Sequence, residues 1–75
     1  MLWLISLKVP RSWQDANNRI LRTCAHRHER VVLIPWNIRA HGHPGWFASD
    51  GYHLTGSGRV AYTALVDRYV SRPFR

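Results

Sequence analysis

Seventy-five residues allow one domain at most, and a domain of this size buries a much smaller share of its surface than one twice as long. With 45% hydrophobic residues and four Trp the composition is that of a folded chain, while 11 Lys and Arg against 4 Asp and Glu give a net charge of +7. The single Cys24 excludes an internal disulfide and a cysteine-based zinc site, and no apolar run approaches the roughly 18 to 20 residues that span a bilayer.

Trp3-Leu4-Ile5-Ser6-Leu7-Lys8-Val9 reads as a strand, apolar on both faces at its start as in a buried parallel sheet, and stopped by Pro10. Ser12 is a candidate N-cap with Asp15 three residues on, in the manner of a capping box. From Trp13 the apolar positions Ala16, Ile20, Leu21, Cys24 and Ala25 recur at helical spacing, with Arg19, Arg22 and Arg27 largely opposite, which predicts a helix over residues 13 to 27. Asn17 and Asn18 are unusual in a helix interior, and a polar contact with a missing half of the fold would account for them.

Val31-Val32-Leu33-Ile34, ended by Pro35, is a second short strand, so the order strand, helix, strand predicts a right-handed βαβ unit. The loop from His41 to Ser57 then leaves the carboxyl end of the strands, the edge of an open α/β sheet where sites are built. Thr55 or Ser57 caps a last helix. Its buried stripe is Val60, Ala61, Ala64 and Leu65, with Tyr69 a further candidate, and Ser71-Arg72-Pro73 ends it. Trp13 and Trp36 are expected in the core, and Cys24 as a small buried hydrophobe. Two parallel strands with two helices leave strand edges and apolar faces open, so the chain reads as the last third of a larger α/β domain.

The chemistry concentrates in Asp50-Gly51-Tyr52-His53-Leu54. An Asp that hydrogen-bonds one ring nitrogen of a His fixes its tautomer, steadies the imidazolium and frees the other nitrogen to act as a base. Taken alone, Asp-x-x-His is more often a polar turn with an exposed His. Trp46 and Phe47 either line an acyl or sugar pocket or cover the underside of their own loop. The five histidines include two His-x-His pairs, 26/28 and 41/43, on opposite sides of the second strand; surface histidines explain them better than a metal site does. The ten Arg are scattered from Arg11 to Arg75 without a block, which suits a solvated surface better than a nucleic-acid partner.

Asp50-Gly51-Tyr52-His53-Leu54-Thr55, followed by Gly58 and Ala61-Tyr62, resembles the D-x-x-H block before the final helix of SGNH (GDSL-like) esterases and acetyl-hydrolases. Val9-Pro10-Arg11-Ser12-Trp13 with Asn17-Asn18, and Pro44-Gly45-Trp46-Phe47, are similar to the SGNH domain of bacterial membrane acyltransferases that O-acetylate surface polysaccharides or peptidoglycan. The resemblance covers nearly the whole chain in order. It implies a fragment of a three-layer αβα fold (β-α-β-loop-α, parallel strands) forming a single partial domain over residues 1 to 75. It also implies His53 as general base and Asp50 as its orienting carboxylate, while Trp46 and Phe47 stay the candidate substrate-binding residues.

The same resemblance implies no cofactor and no metal. The substrate of an intact parent would be an acyl ester or O-acetylated glycan, at the cell envelope or outside the cytoplasm. The family's nucleophilic Ser, in a Gly-Asp-Ser block, and its oxyanion donors have no counterpart among Ser6, Ser12, Ser49, Ser57 and Ser71. The expectation is a gene fragment, or a piece that needs a missing N-terminal half, inactive alone. The alternatives are a basic module for nucleic acid or anionic glycan, and a remnant without function.

Overall fold

Two prolines bracket the architecture. In the computed structural model, which describes residues 1–71, each apolar run becomes a four-residue strand that stops short of its proline: β1 at Leu2–Ile5 and β2 at Val31–Ile34. They pair in parallel, from Leu2 opposite Val31 to Ile5 opposite Ile34. Ser6 adds one further bond, its N–H donating to the Ile34 carbonyl at 3.1 Å. The strand expected to continue to Val9 ends here because the next ladder donor would be the Trp36 N–H, and at Trp36 the partner chain already turns into a helix.

The crossover between the strands is helix α1, Gln14–Arg27, matching the predicted span closely. Its phase differs from the prediction. The inward positions are Gln14, Asn18, Leu21, Cys24 and Ala25, whereas Trp13, Ala16 and Ile20 are exposed. Trp13, expected in the core, instead occupies the N-cap position with no side-chain cap bond, so Ser12 does not cap the helix. The shift follows from Asn18, which is only 1% exposed: burying it toward the strand exit turns Ile20 to solvent.

After β2 the chain makes a one-turn helix α2, Trp36–Arg39, then, within the stretch expected as loop from His41 to Ser57, a 3₁₀ turn at Pro44–Trp46, and finally helix α3, Gly56–Val70. Thr55 is the α3 N-cap, its hydroxyl accepting from the Gly58 N–H at 3.1 Å. Of the predicted α3 stripe, Leu65 is buried and Ala61 and Tyr69 pack against the core, but Val60 and Ala64 face solvent. The expected stop at Arg72-Pro73 lies outside the described residues.

The core is Ile34, Trp36, Ala40 and Leu65, with Trp3, Ile5, Phe47 and Tyr62 packed against it. Side chains alternate across a strand, so Trp3, Ile5 and Ile34 look toward α3, while Val31 and Leu33 look toward Ala25 and His26 of α1. The result is a small α/β structure with helices on both faces of two parallel strands, consistent with a fragment of an α/β fold. Among the described residues the outer edges of β1 and β2 pair with no further strand. No described helix is long and apolar enough to cross a membrane.

Candidate active site

A short loop returns the chain from the 3₁₀ turn to α3, and local hydrogen bonds close it. The Ala48 N–H donates to the His53 carbonyl at 2.7 Å, the Gly51 N–H to Ala48 at 2.9 Å, and Phe47 bridges Leu54 in antiparallel fashion. Gly51 takes a φ of +76°, open to glycine at little cost. At the loop's foot the Thr55 N–H donates to the Trp46 carbonyl at 2.9 Å and the Thr55 hydroxyl to the Gly45 carbonyl at 2.8 Å. Thr55 therefore both starts α3 and ties the loop to the 3₁₀ turn.

Within this frame Asp50 divides its two oxygens. Oδ1 accepts the backbone N–H of Tyr52 at 2.8 Å and of His53 at 3.0 Å, an Asx turn of the kind that short carboxylates favour. Oδ2 meets the imidazole Nδ1 of His53. The contact fixes the proton on Nδ1 and leaves Nε2 with a free lone pair. The His53 side chain is 83% exposed and that of Asp50 44%, so the free nitrogen faces outward. The hydrogen bond from the His53 imidazole, then those from the backbone N–H groups of His53 and Tyr52, hold the Asp50 carboxyl well below the usual range, at about 2.

The pair lies beyond the carboxyl ends of the strands. A concavity of about 220 Å³ is shared by Ile5 to Lys8, at the exit of β1, with Tyr52 and Leu54 from the loop. A second, of about 330 Å³, lies between Val9, Pro10, Pro44 and Gly51. Phe47 lines both. Trp46 is placed differently: its ring stacks on Trp36 (centroids 5.8 Å apart) and on His43 (3.8 Å), with the Arg39 guanidinium 4.7 Å from its centre. Of the two aromatic residues expected beside a substrate, Phe47 thus borders open space and Trp46 is engaged in an aromatic stack.

Among the described residues no three His, Cys, Asp or Glu side chains are grouped to hold a metal ion. Asn18, expected to contact a missing half of the fold, instead lies buried beneath the segment that leads out of β1 and bonds the Leu7 backbone of this chain. Spacing alone carried no sign of its partner, because that partner is backbone.

An Asp–His pair set on a loop at the carboxyl edge of parallel strands defines a class: α/β chains with the parts of a general base in place. No family model matches the chain. Its homologues are O-acetyltransferases. It is 38% identical over 65 residues to YrhL of Bacillus subtilis strain 168, provisionally named a peptidoglycan O-acetyltransferase, covering 87% of this chain and 10% of that protein. It is 35% identical over 65 residues to the O-acetyltransferase OatA of Staphylococcus aureus strain NCTC 8325 / PS 47, covering 87% and 11%. A protein of S. aureus strain MSSA476, provisionally named an O-acetyltransferase, is 42% identical over 60 residues, covering 80% and 10%. The chain therefore spans about a tenth of the length of the curated relatives it matches.

Proposed function

We propose that this chain is the acid–base part of an SGNH-type O-acetyltransferase or ester-hydrolase domain, with His53 the general base and Asp50 its orienting carboxylate. The observation that carries the proposal is the contact of Asp50 Oδ2 with His53 Nδ1, which leaves Nε2 free at the strand ends. The acetyltransferase names of the homologues support the acyl chemistry.

In an intact site a serine hydroxyl attacks the carbonyl carbon of an acetyl ester while His53 Nε2 takes the serine proton. The imidazolium, steadied by Asp50, then gives that proton to the departing alcohol, and an acetyl-serine remains. A sugar hydroxyl, or water, attacks the acetyl-serine. It loses its proton to the same nitrogen, which returns the proton to the serine. An acceptor such as a peptidoglycan sugar hydroxyl fits the name of the B. subtilis relative. Phe47, between the two concavities, is placed to flank the acyl group or the sugar.

The serine and the oxyanion donors come, in this reading, from the rest of a longer protein. The 75-residue chain is accordingly expected to hydrolyse p-nitrophenyl acetate no faster than free imidazole. In a protein that joins this segment to a Gly-Asp-Ser block, Asp50→Asn should lower kcat by something on the order of the 10⁴ seen for the equivalent change in a serine protease. His53→Ala should abolish turnover. Unchanged turnover in His53→Ala removes the assignment.

A further inference from the structure

Asn18 is the buried polar group that the proposed chemistry does not use. It sits in the middle of α1, 1% exposed, and both polar atoms of its amide are bonded. Oδ1 accepts the Leu7 N–H at 2.7 Å and Nδ2 donates to the Leu7 carbonyl at 2.8 Å. Those are the two bonds that a neighbouring strand would make to Leu7. They occur on the edge of the chain turned away from β2, since residues 2, 4 and 6 face β2 and Leu7 faces the side where no described strand pairs. One turn earlier on the same face, Gln14 Oε1 accepts the Val9 N–H at 2.7 Å. Side chains of α1 thus set the path of residues 7 to 9 where sheet pairing has run out.

That path continues directly beneath the Asp50–His53 loop. The ring of Pro10 lies against Gly51 so closely that a Cβ on Gly51 would come within 2.8 Å of Pro10 Cγ. The Arg11 guanidinium stands 5.0 Å from the centre of the Tyr52 ring. Gly51 and Tyr52 are the two residues between Asp50 and His53. A displacement of the segment from Leu7 to Arg11 is therefore passed to the turn that brings carboxylate and imidazole together.

We infer that Asn18, assisted by Gln14, is a positioning residue for the Asp50–His53 pair, acting through the Leu7–Arg11 segment and its seat under Gly51. The inference rests on the reading of that pair as the base, but it concerns the geometry of the pair and is tested without turnover. An apolar residue of similar size at 18 fills the same volume and leaves Leu7 without its two bonds. The Leu7–Arg11 strap is then free to drift, and the loop loses its floor.

The test follows the Asp50 side-chain carboxyl by ¹³C NMR titration in the full 75-residue chain. In the parent sequence the midpoint is expected well below the ordinary range, at about 2, as the intact pair and its backbone bonds require. In Asn18→Leu, shown to be folded by circular dichroism, it is expected to rise toward the ordinary aspartate value of 3.8. A folded Asn18→Leu whose midpoint stays at about 2 overturns the inference. If Asn18→Leu does not fold, Pro10→Ala decides. It removes the floor under Gly51 at an exposed position and leaves α1 intact. A raised midpoint in Pro10→Ala supports the inference, and an unchanged one overturns it. Loss of turnover on His53→Ala in a longer protein tests the catalytic reading separately, so the two can fail independently.

Discussion

Gly58→Ala tests how the site loop is fastened to the scaffold. Gly58 is buried in the first turn of α3, and a Cβ there would lie 2.0 Å from the Trp46 carbonyl oxygen, 2.9 Å from its carbon and 3.1 Å from Trp46 Cα. A carbon that touches a carbonyl oxygen stays near 3.3 Å, so the two backbones would have to part by about 1.3 Å. The same Trp46 oxygen accepts the Thr55 N–H at 2.9 Å, and a shift of that size breaks this bond. Overpacking costs about 1–3 kcal/mol and the lost hydrogen bond about 0.5–1.5 kcal/mol, against about 1 kcal/mol gained from replacing Gly by Ala in a helix. The expected net loss is about 0.5–3.5 kcal/mol, and for a domain of this size each kcal/mol lowers Tm by about 4–8 °C. Gly56→Ala is the internal control. It lies two residues away in the same helix, has nothing within 4 Å of its would-be Cβ and has no positive φ. Its Tm should hold or rise slightly, by up to about 1 kcal/mol of stabilisation. Thermal unfolding followed at 222 nm compares the two. If Gly58→Ala melts no lower than Gly56→Ala, α3 does not depend on the close approach of Trp46.

Ser6 donates to Asn37 Oδ1 at 2.5 Å and accepts the Asn37 N–H at 2.9 Å, so Ser6→Ala leaves that N–H unpaired in a nearly closed site. The expected loss is about 1–3 kcal/mol in urea unfolding; an unchanged midpoint would show that Asn37 finds water instead. The Asp50 carboxyl, held at about 2, lies below its ordinary 3.8, so its contribution to stability is present above pH 3.8 and is lost as the pH falls toward 2. His53→Ala removes the imidazole bond but keeps the backbone N–H groups of Tyr52 and His53 on Oδ1. The Asp50 midpoint, read by carboxyl NMR, should therefore rise only part of the way to 3.8, and a full return would show that the Asx turn contributes nothing.

What could be read in advance depended on whether the cause was local. Pro10 and Pro35 fixed where the strands must end at the latest, and the crossover helix over 14 to 27 followed from spacing. Asp50 and His53 lie three apart, within reach of one Asx turn, so their contact needed no knowledge of the fold. The misplacements share one origin. Trp13, Ile20 and Val60 were turned inward by an apolar pattern that treats every large hydrophobic residue as core, although four-residue strands give α1 and α3 little to cover. Asn18 runs the other way: a polar side chain took a core position because the backbone at Leu7 needed a partner. Hydropathy cannot anticipate an interior polar residue whose partner is main chain eleven residues earlier.

The division between what is built in and what must be supplied follows from the same locality. Every bond that orients the imidazole runs between residues 45 and 58: Asp50 to the turn and to His53, Ala48 to His53, Thr55 to Trp46 and Gly45, and Gly58 to Thr55. The segment from Leu7 to Arg11 adds a floor from below. None of this requires an attacking serine, so the base can be poised before any nucleophile arrives. Open to water, however, the pair acts in a high dielectric where its Coulombic coupling is weak. A covering layer that brought a serine to Nε2 would also exclude water from that side, strengthening the Asp50–His53 interaction at the moment the imidazolium forms. The added part would thus contribute twice, with the attacking atom and with the dryness that makes the existing pair effective. That is why the exposed pair of this chain is expected to be poised yet to hydrolyse esters no faster than free imidazole.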